Sequence, residues 1–221
     1  MRILDAIFDL FFPPKCVLCA KILEKEETDL CHSCRAEISE CGKSKRAIPF
    51  IESWLALWYY EGKVRSSLLR YKFGGRRGYA KIYGRLLAMK LLRDDPVCFD
   101  MLTYTPISRL RKFRRGYDQV QLLAEAMAAE LGTEVVPTLK KIRHNPPQSG
   151  IGDAAHRRAN VMGVYEAVDP ARFAGKRLLL LDDIITTGAT ASECARVLLT
   201  AGAKEVICAA IAAANHQQKN Q

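Results

Sequence analysis

Apolar positions along the chain follow two spacings. In residues 64–71, 80–92, 117–131 and 191–201 they recur at helical intervals, and Val120, Leu123, Ala124, Met127 and Leu131 fall on one face. Gly132 and Gly202 follow the last two stretches, where a residue in the left-handed conformation ends a helix. Between the helical stretches lie short apolar or aromatic runs at 55–60 (LALWYY), 101–105, 134–136, 178–181 and 206–213. The four consecutive leucines at 178–181 are too few for a helix and suit a strand buried on both faces. From residue 50 onward the order is β, α, α, β, α, β, β, α, β. That alternation predicts an α/β fold, a mostly parallel sheet flanked by helices.

The first residues differ. Ile3, Leu4, Ile7, Phe8, Leu10 and Phe11 keep a helical period, and Pro13-Pro14 ends it. So short a helix must bury its apolar face on another element. Asp5 and Asp9 interrupt the stretch and no small-residue cleavage site follows, so no signal peptide is expected. No apolar run reaches the roughly 18 residues needed to span a bilayer. The expected compartment is the cytoplasm. Composition, at 49% hydrophobic and 26% charged over 221 residues, is that of a globular chain and excludes disordered, collagen-like and coiled-coil classes.

Charge adds more. The net charge is +10, and residues 62–93 hold ten basic and no acidic side chains. A second basic run is Arg109, Arg111, Lys112, Arg114 and Arg115, with no acid before Asp118. Concentrated in this way, the charge points to a polyanionic partner or substrate; the alternative is a solvated face of ordinary helices. Arg76 and Arg77, after Gly74-Gly75, together with Arg114 and Arg115 are the candidate nucleic-acid contacts. Tyr71, Phe73, Tyr79, Tyr83, Phe113 and Tyr117, interleaved with the charges, are candidate stacking platforms, with Tyr83 the first expected in the core.

Five of the eight cysteines lie in the first 41 residues. Cys16, Cys19, Cys31 and Cys34 form two C-x2-C pairs, the spacing that aims four thiolates at one tetrahedral Zn²⁺. Four thiolates close the site, so the metal is expected to be structural. A pair of disulfides is the rival, but it suits a secreted chain. His32, inside the second pair, could replace a cysteine, and Cys41 has no evident role. The polar stretch GKSKRAIP at 42–49 reads as a linker.

The chemistry concentrates at 177–190, RLLLLDDIITTGAT. A buried strand runs into two carboxylates, then into a Thr/Gly loop that opens a helix. Ligands bind at such strand ends. The loop offers backbone N–H groups, hydroxyls and the positive end of a helix dipole, which suit a phosphate. The carboxylates can accept hydrogen bonds from sugar hydroxyls or hold Mg²⁺ through water. A phosphorylated sugar satisfies both halves. The signature of a P-loop is missing.

LLLLDDIITTGAT resembles the 5-phosphoribosyl-1-pyrophosphate (PRPP) motif of type I phosphoribosyltransferases. The wider chain resembles the ComF (GntX-like) family of competence proteins, through the four-cysteine pairs, YYEGKVRSSLLRYKFGG, PISRLRKFRRGYDQ and NPPQSGIGDAAHRRANVMGVY. The resemblance implies a type I phosphoribosyltransferase-like α/β fold with a small N-terminal zinc module. Residues 1–48 would form the helix, module and linker, residues 49–215 the phosphoribosyltransferase-like domain, and 216–221 a polar tail. It also implies roles. Asp182 and Asp183 hold the ribose hydroxyls, with Mg²⁺ accompanying PRPP. Thr186, Thr187, Gly188, Ala189 and Thr190 cradle the 5-phosphate, and Ser108 and Arg109 lie in the pyrophosphate loop. Gln148, Arg157 and Asn160 are polar positions of the family's mobile loop. The family is linked to uptake of single-stranded DNA in natural transformation, so single-stranded DNA and the uptake machinery are the implied partners. A phosphoribosyltransferase of nucleotide metabolism, acting on a nucleobase or other small acceptor, is the alternative. Loss of a zinc ligand such as Cys16 is expected to destabilise the module and leave the PRPP site formed.

Overall fold

The computed structural model describes residues 13–41, 46–94, 98–143 and 161–215. The expected N-terminal helix and the segment holding Gln148, Arg157 and Asn160 lie outside them. In chain order the elements are α1 (His32–Glu37), β1 (Trp54–Tyr59), α2 (Gly62–Phe73), α3 (Tyr79–Asp94), β2 (Met101–Tyr104), α4 (Arg109–Arg115), α5 (Gln119–Leu131), β3 (Leu139–Lys141), β4 (Tyr165–Ala167), β5 (Arg177–Ile185), α6 (Ala189–Thr200) and β6 (Glu205–Ala213), with a 3₁₀ turn at Pro170–Arg172. The main sheet has the order β1-β6-β5-β2 and is parallel throughout. The expected strand at 134–136 is reduced to a single parallel bridge between Val135 and Leu102. Val136 N–H still bonds Leu102 O at 2.9 Å, but the next residue, Pro137, has no N–H with which to continue the ladder.

Alternation along β5 and β6 builds two cores. Leu179, Leu181, Ile207, Ala209 and Ile211 face a layer made by α2, α3 and α5; Leu178, Leu180, Val206, Cys208 and Ala210 face α6 and Phe173. The four leucines are therefore buried on both sides, as their run predicts. The first core also takes in Cys16, Val17 and Leu18, so the cysteine segment packs into the layer of α2 and α3. Ser67 Oγ donates to the Val17 carbonyl, and Arg70 Nη2 donates to the Leu18 carbonyl at 2.6 Å.

Two elements escape the hydrophobic pattern. The antiparallel pair β3–β4 is three residues per strand and half polar. Helix α4 buries none of its residues and is held by its ends: Ser108 Oγ accepts the Arg111 N–H, and Gly116 closes it in the left-handed conformation at φ +78°.

Helices α3 and α5 touch at Gly84. A Cβ there would lie 2.7 Å from the Ala126 Cβ and 2.7 Å from the Met127 backbone nitrogen. Gly84→Ala is expected to push the helices apart and cost about 1–3 kcal/mol despite alanine's better helix propensity. A urea midpoint equal to or above wild type would refute this contact.

Candidate functional site

At the end of β5 the alternation that buries the leucines sends two adjacent carboxylates to opposite faces of the sheet. Asp182 points to the α6 side, where its Oδ1 accepts from Thr105 Oγ1 at 2.9 Å and from the Asp183 N–H at 2.8 Å. Asp183 points to the α2 and α5 side, where Lys72 Nζ donates to Oδ1 at 2.8 Å and Gln119 Nε2 to Oδ2 at 2.6 Å. Burial opposes the charge on both. For Asp183, Lys72 and Gln119 outweigh burial and hold the carboxyl below the usual range. For Asp182, burial and the charge of Asp183 push the carboxyl up to about 7. Asp182 Oδ2 has no hydrogen-bond partner among the described residues and its side chain lines the cleft.

The loop after β5 continues the site. Gly188 sits at φ +82° and opens α6, with the Ser192 N–H on its carbonyl at 2.8 Å. The Ala189 N–H bonds Thr187 Oγ1 at 3.3 Å. Thr186 and Thr190 line the cleft. Behind the loop lies part of the stretch read as a linker. Arg46 Nη1 donates to the Thr186 carbonyl at 2.9 Å, and Ile48, buried, packs on Gly188. Sequence reasoning missed this; Ile48 within GKSKRAIP was the one apolar signal.

Carboxylates and loop open into a cavity of about 1010 Å³, whose other walls come from α2, α4, α5 and the β3–β4 pair. Arg65, Lys72, Arg111, Arg114, Arg115 and Lys141 line it, against two acids, Asp182 and Asp183. Lys141, on β3, was not foreseen. Its ammonium lies 5.2 Å from the Tyr165 ring centroid, and burial, reinforced by Arg111, lowers its pKa to about 8. Burial also depresses Arg111. Ser108 is buried as the cap of α4, while Arg109 is exposed and is not among the residues lining the cavity.

The four cysteines converge. Their sulfurs all lie within 4.8 Å of one another, with Cys19 and Cys31 Sγ at 3.6 Å. A tetrahedral zinc with Zn–S near 2.3 Å requires separations of about 3.8 Å. Each pair sits on a tight turn: the Ala20 N–H bonds the Cys16 carbonyl at 2.9 Å, and the Arg35 N–H bonds the Cys31 carbonyl at 3.0 Å. Burial raises the Cys16 thiol, but backbone N–H groups outweigh it and hold the pKa at about 7, whereas at Cys19 and Cys34 burial wins and pushes the thiol up. His32 is exposed and outside this group; Cys41 is buried and also outside it.

Much of the basic run at 62–93 is answered by acids within the fold, mostly at the surface, with Lys90 alone buried. Lys63 pairs with Glu37, Arg85 with Asp29, and Lys90 and Arg93 with Glu40 and Asp94. The acids that answer it thus come largely from residues 29–40. Arg77 Nη2 donates to the Gly116 carbonyl at 3.0 Å and lies over Tyr117; Arg115 lies over Phe73 and bonds Gln119. Arg76 and Arg114 are exposed, with no ion pair among the described residues. Of the candidate stacking residues, Tyr71, Tyr83 and Tyr117 are core, because α2, α3 and α5 meet on them, and Tyr79 is half-buried. Phe113 at 87% exposure remains open, and Phe73 at 71% keeps exposed the surface that Arg115 does not cover.

Residues 121–221 match the phosphoribosyl transferase domain family, and residues 7–46 match the double zinc ribbon domain family. The chain is similar to competence protein F of Haemophilus influenzae, with 26% identity over 89% of this chain and 95% of that protein. It is similar to competence protein ComFC of Streptococcus pneumoniae, with 28% identity over 91% and 82%. It is also similar to DNA utilization protein YhgH of Escherichia coli K12, with 24% identity over 86% of each. Among the described residues no helix is long and apolar enough to cross a membrane.

Proposed function

We propose that this chain, which belongs to the ComF family of competence proteins and carries a phosphoribosyltransferase-type domain, binds PRPP in the basic cleft and acts in DNA uptake. One observation carries the first half: two strand-end carboxylates and a Thr/Gly helix-opening loop share a cleft whose other charged groups are cationic. Asp182 and Asp183 accept from the ribose hydroxyls. The loop from Thr186 to Thr190 takes the 5-phosphate on its N–H groups. Arg111 and Lys141, on the walls beside Asp182, answer the charge of the pyrophosphate in place of Arg109, which does not line the cavity. Mg²⁺, when bound with PRPP, supplies charge neutralisation. Asp182 Oδ2, which keeps no hydrogen-bond partner among the described residues, is the oxygen that would meet its water shell.

PRPP with Mg²⁺ at about 100 times its Kd is expected to stabilise the protein by about 2.7 kcal/mol, a rise in melting temperature of roughly 5–10 °C. Pyrophosphate release across a panel of acceptors then separates the readings. Turnover with a nucleobase supports an enzyme of nucleotide metabolism; binding without turnover supports a ligand-bound factor in DNA handling. An unchanged melting temperature removes the PRPP assignment.

Contact with single-stranded DNA is the second half of the reading. It rests on Arg76 and Arg114, which are exposed with no ion pair among the described residues, on the open ring of Phe113, and on the Phe73 face that Arg115 leaves exposed. Arg76→Glu with Arg114→Glu is expected to weaken single-strand binding and flatten its salt slope by roughly 1.4, at about 0.7 per phosphate contact. Arg77 is a poorer test because its change would also release Gly116. Equal binding by the double variant at every salt concentration would rule this surface out.

A further inference from the structure

We propose that Arg46 is a positioning residue for the phosphate loop, reaching it from the segment that joins the cysteine module to the sheet. This rests on the PRPP reading above. Arg46 is not among the residues that line the cleft. It approaches the loop from behind, where its Nη1 donates to the Thr186 carbonyl at 2.9 Å. A peptide unit is planar and trans, so its C=O and N–H point in opposite directions. A Thr186 carbonyl held toward Arg46 therefore turns the Thr187 N–H away from it, to the side on which Thr186 and Thr190 face the cleft. That N–H is one of the donors a bound phosphate needs.

Arg46 is itself fixed. Its guanidinium lies 5.3 Å from the Trp54 ring centroid, and Trp54 Nε1 donates to the Arg46 carbonyl at 2.7 Å. Two residues on, Ile48 closes over Gly188. A Cβ at Gly188 would meet three Ile48 carbons at 2.9–3.0 Å, so the connector and the loop are in van der Waals contact at the residue whose φ of +82° sets the turn. The connector thus holds the loop at two points, a carbonyl and a glycine, with its donors turned forward.

The test separates the 5-phosphate from the rest of the ligand. Binding of ribose 5-phosphate, and separately of inorganic pyrophosphate with Mg²⁺, is measured by calorimetry on the full chain. Arg46→Met is expected to weaken ribose 5-phosphate about tenfold, the loss of one charged hydrogen bond, and to leave pyrophosphate unchanged. Arg46→Lys, which keeps a cationic donor, should recover most of the loss. Ile48→Ala, which frees Gly188 and keeps Arg46, should show the same selectivity at smaller size and stands in if Arg46→Met does not fold. Wild-type affinity for ribose 5-phosphate in Arg46→Met overturns the proposal, as does an equal loss of both ligands. Failure of wild type to bind either ligand would instead remove the PRPP reading beneath it.

Discussion

Removing zinc from the four-cysteine cluster, by chelation or by Cys16→Ser, is expected to lower the melting temperature of the whole chain by on the order of 10 °C and to abolish its response to PRPP. The first effect follows from the shared core. Cys16, Val17 and Leu18 are fully or almost fully buried, in one cluster with Tyr71, Tyr83 and Leu87. If the thiolates lose their metal, the turn at Cys16–Cys19 is no longer held. Val17 and Leu18 then leave a cluster that can close over the gap only in part. Polar losses add to this. Ser67 and Arg70, both on α2, donate to the carbonyls of Val17 and Leu18 and would be left without those acceptors. The second effect follows from the same helix, which also carries Lys72, the partner of Asp183. The cysteine segment and Asp183 are thus both tied to the C-terminal half of one helix. The sequence-based expectation that a zinc ligand could be lost without harm to the PRPP site is therefore reversed. A melting scan of the chelated protein that keeps both its midpoint and its PRPP shift would show the cluster to be an appendage.

What the sequence makes legible is what repeats or alternates. β5 and β6 are apolar at every step from Leu178 to Leu181 and from Val206 to Ala213, which only a doubly covered strand requires. The paired cysteines carry their spacing on their face. Features that depend on distant partners are not legible. The charges of residues 62–93 look like a surface for a polyanion until Asp29, Glu37 and Glu40 are brought against them by the fold. Tyr83 is core, as its place in KIYGRLL predicts, but Tyr71 and Tyr117 look like stacking platforms because their spacing is shared with lysine and arginine; only the meeting of three helices shows them to be core. Lys141 sits in a strand of three residues, too short for any period, and Helix α4 has no buried face to leave a pattern. Arg46 lies in a stretch whose polarity reads as a linker, and its partner is 140 positions away.

Asp182→Asn is expected to do two opposite things: to abolish the PRPP-induced rise in melting temperature and to stabilise the unliganded protein above neutral pH. The pairing of effects follows from where the charge sits. Burial and the neighbouring Asp183 charge raise Asp182 to about 7 in the folded chain, against about 3.9 unfolded. The native state therefore binds more protons than the unfolded state between these values. The stability this confers is complete below the unfolded pKa and is lost as pH rises through about 7. Asp183 runs the other way: with its folded pKa depressed, its contribution is present above about 4 and fails only in acid, outside the window of interest. Between pH 5.5 and 8.5 the unliganded wild type should thus lose stability that Asp182→Asn keeps. The asparagine Oδ1 can still accept from Thr105 and from the Asp183 N–H, while its amide takes the position of Oδ2. The difference between the two proteins should grow to several degrees by pH 8.5, on the order of 1–4 kcal/mol. PRPP should reverse the order, because the ribose hydroxyls need an acceptor where asparagine offers a donor. Parallel melting curves across this range would mean that Asp182 does not titrate between pH 5.5 and 8.5 in the folded protein, and would overturn this pairing of effects.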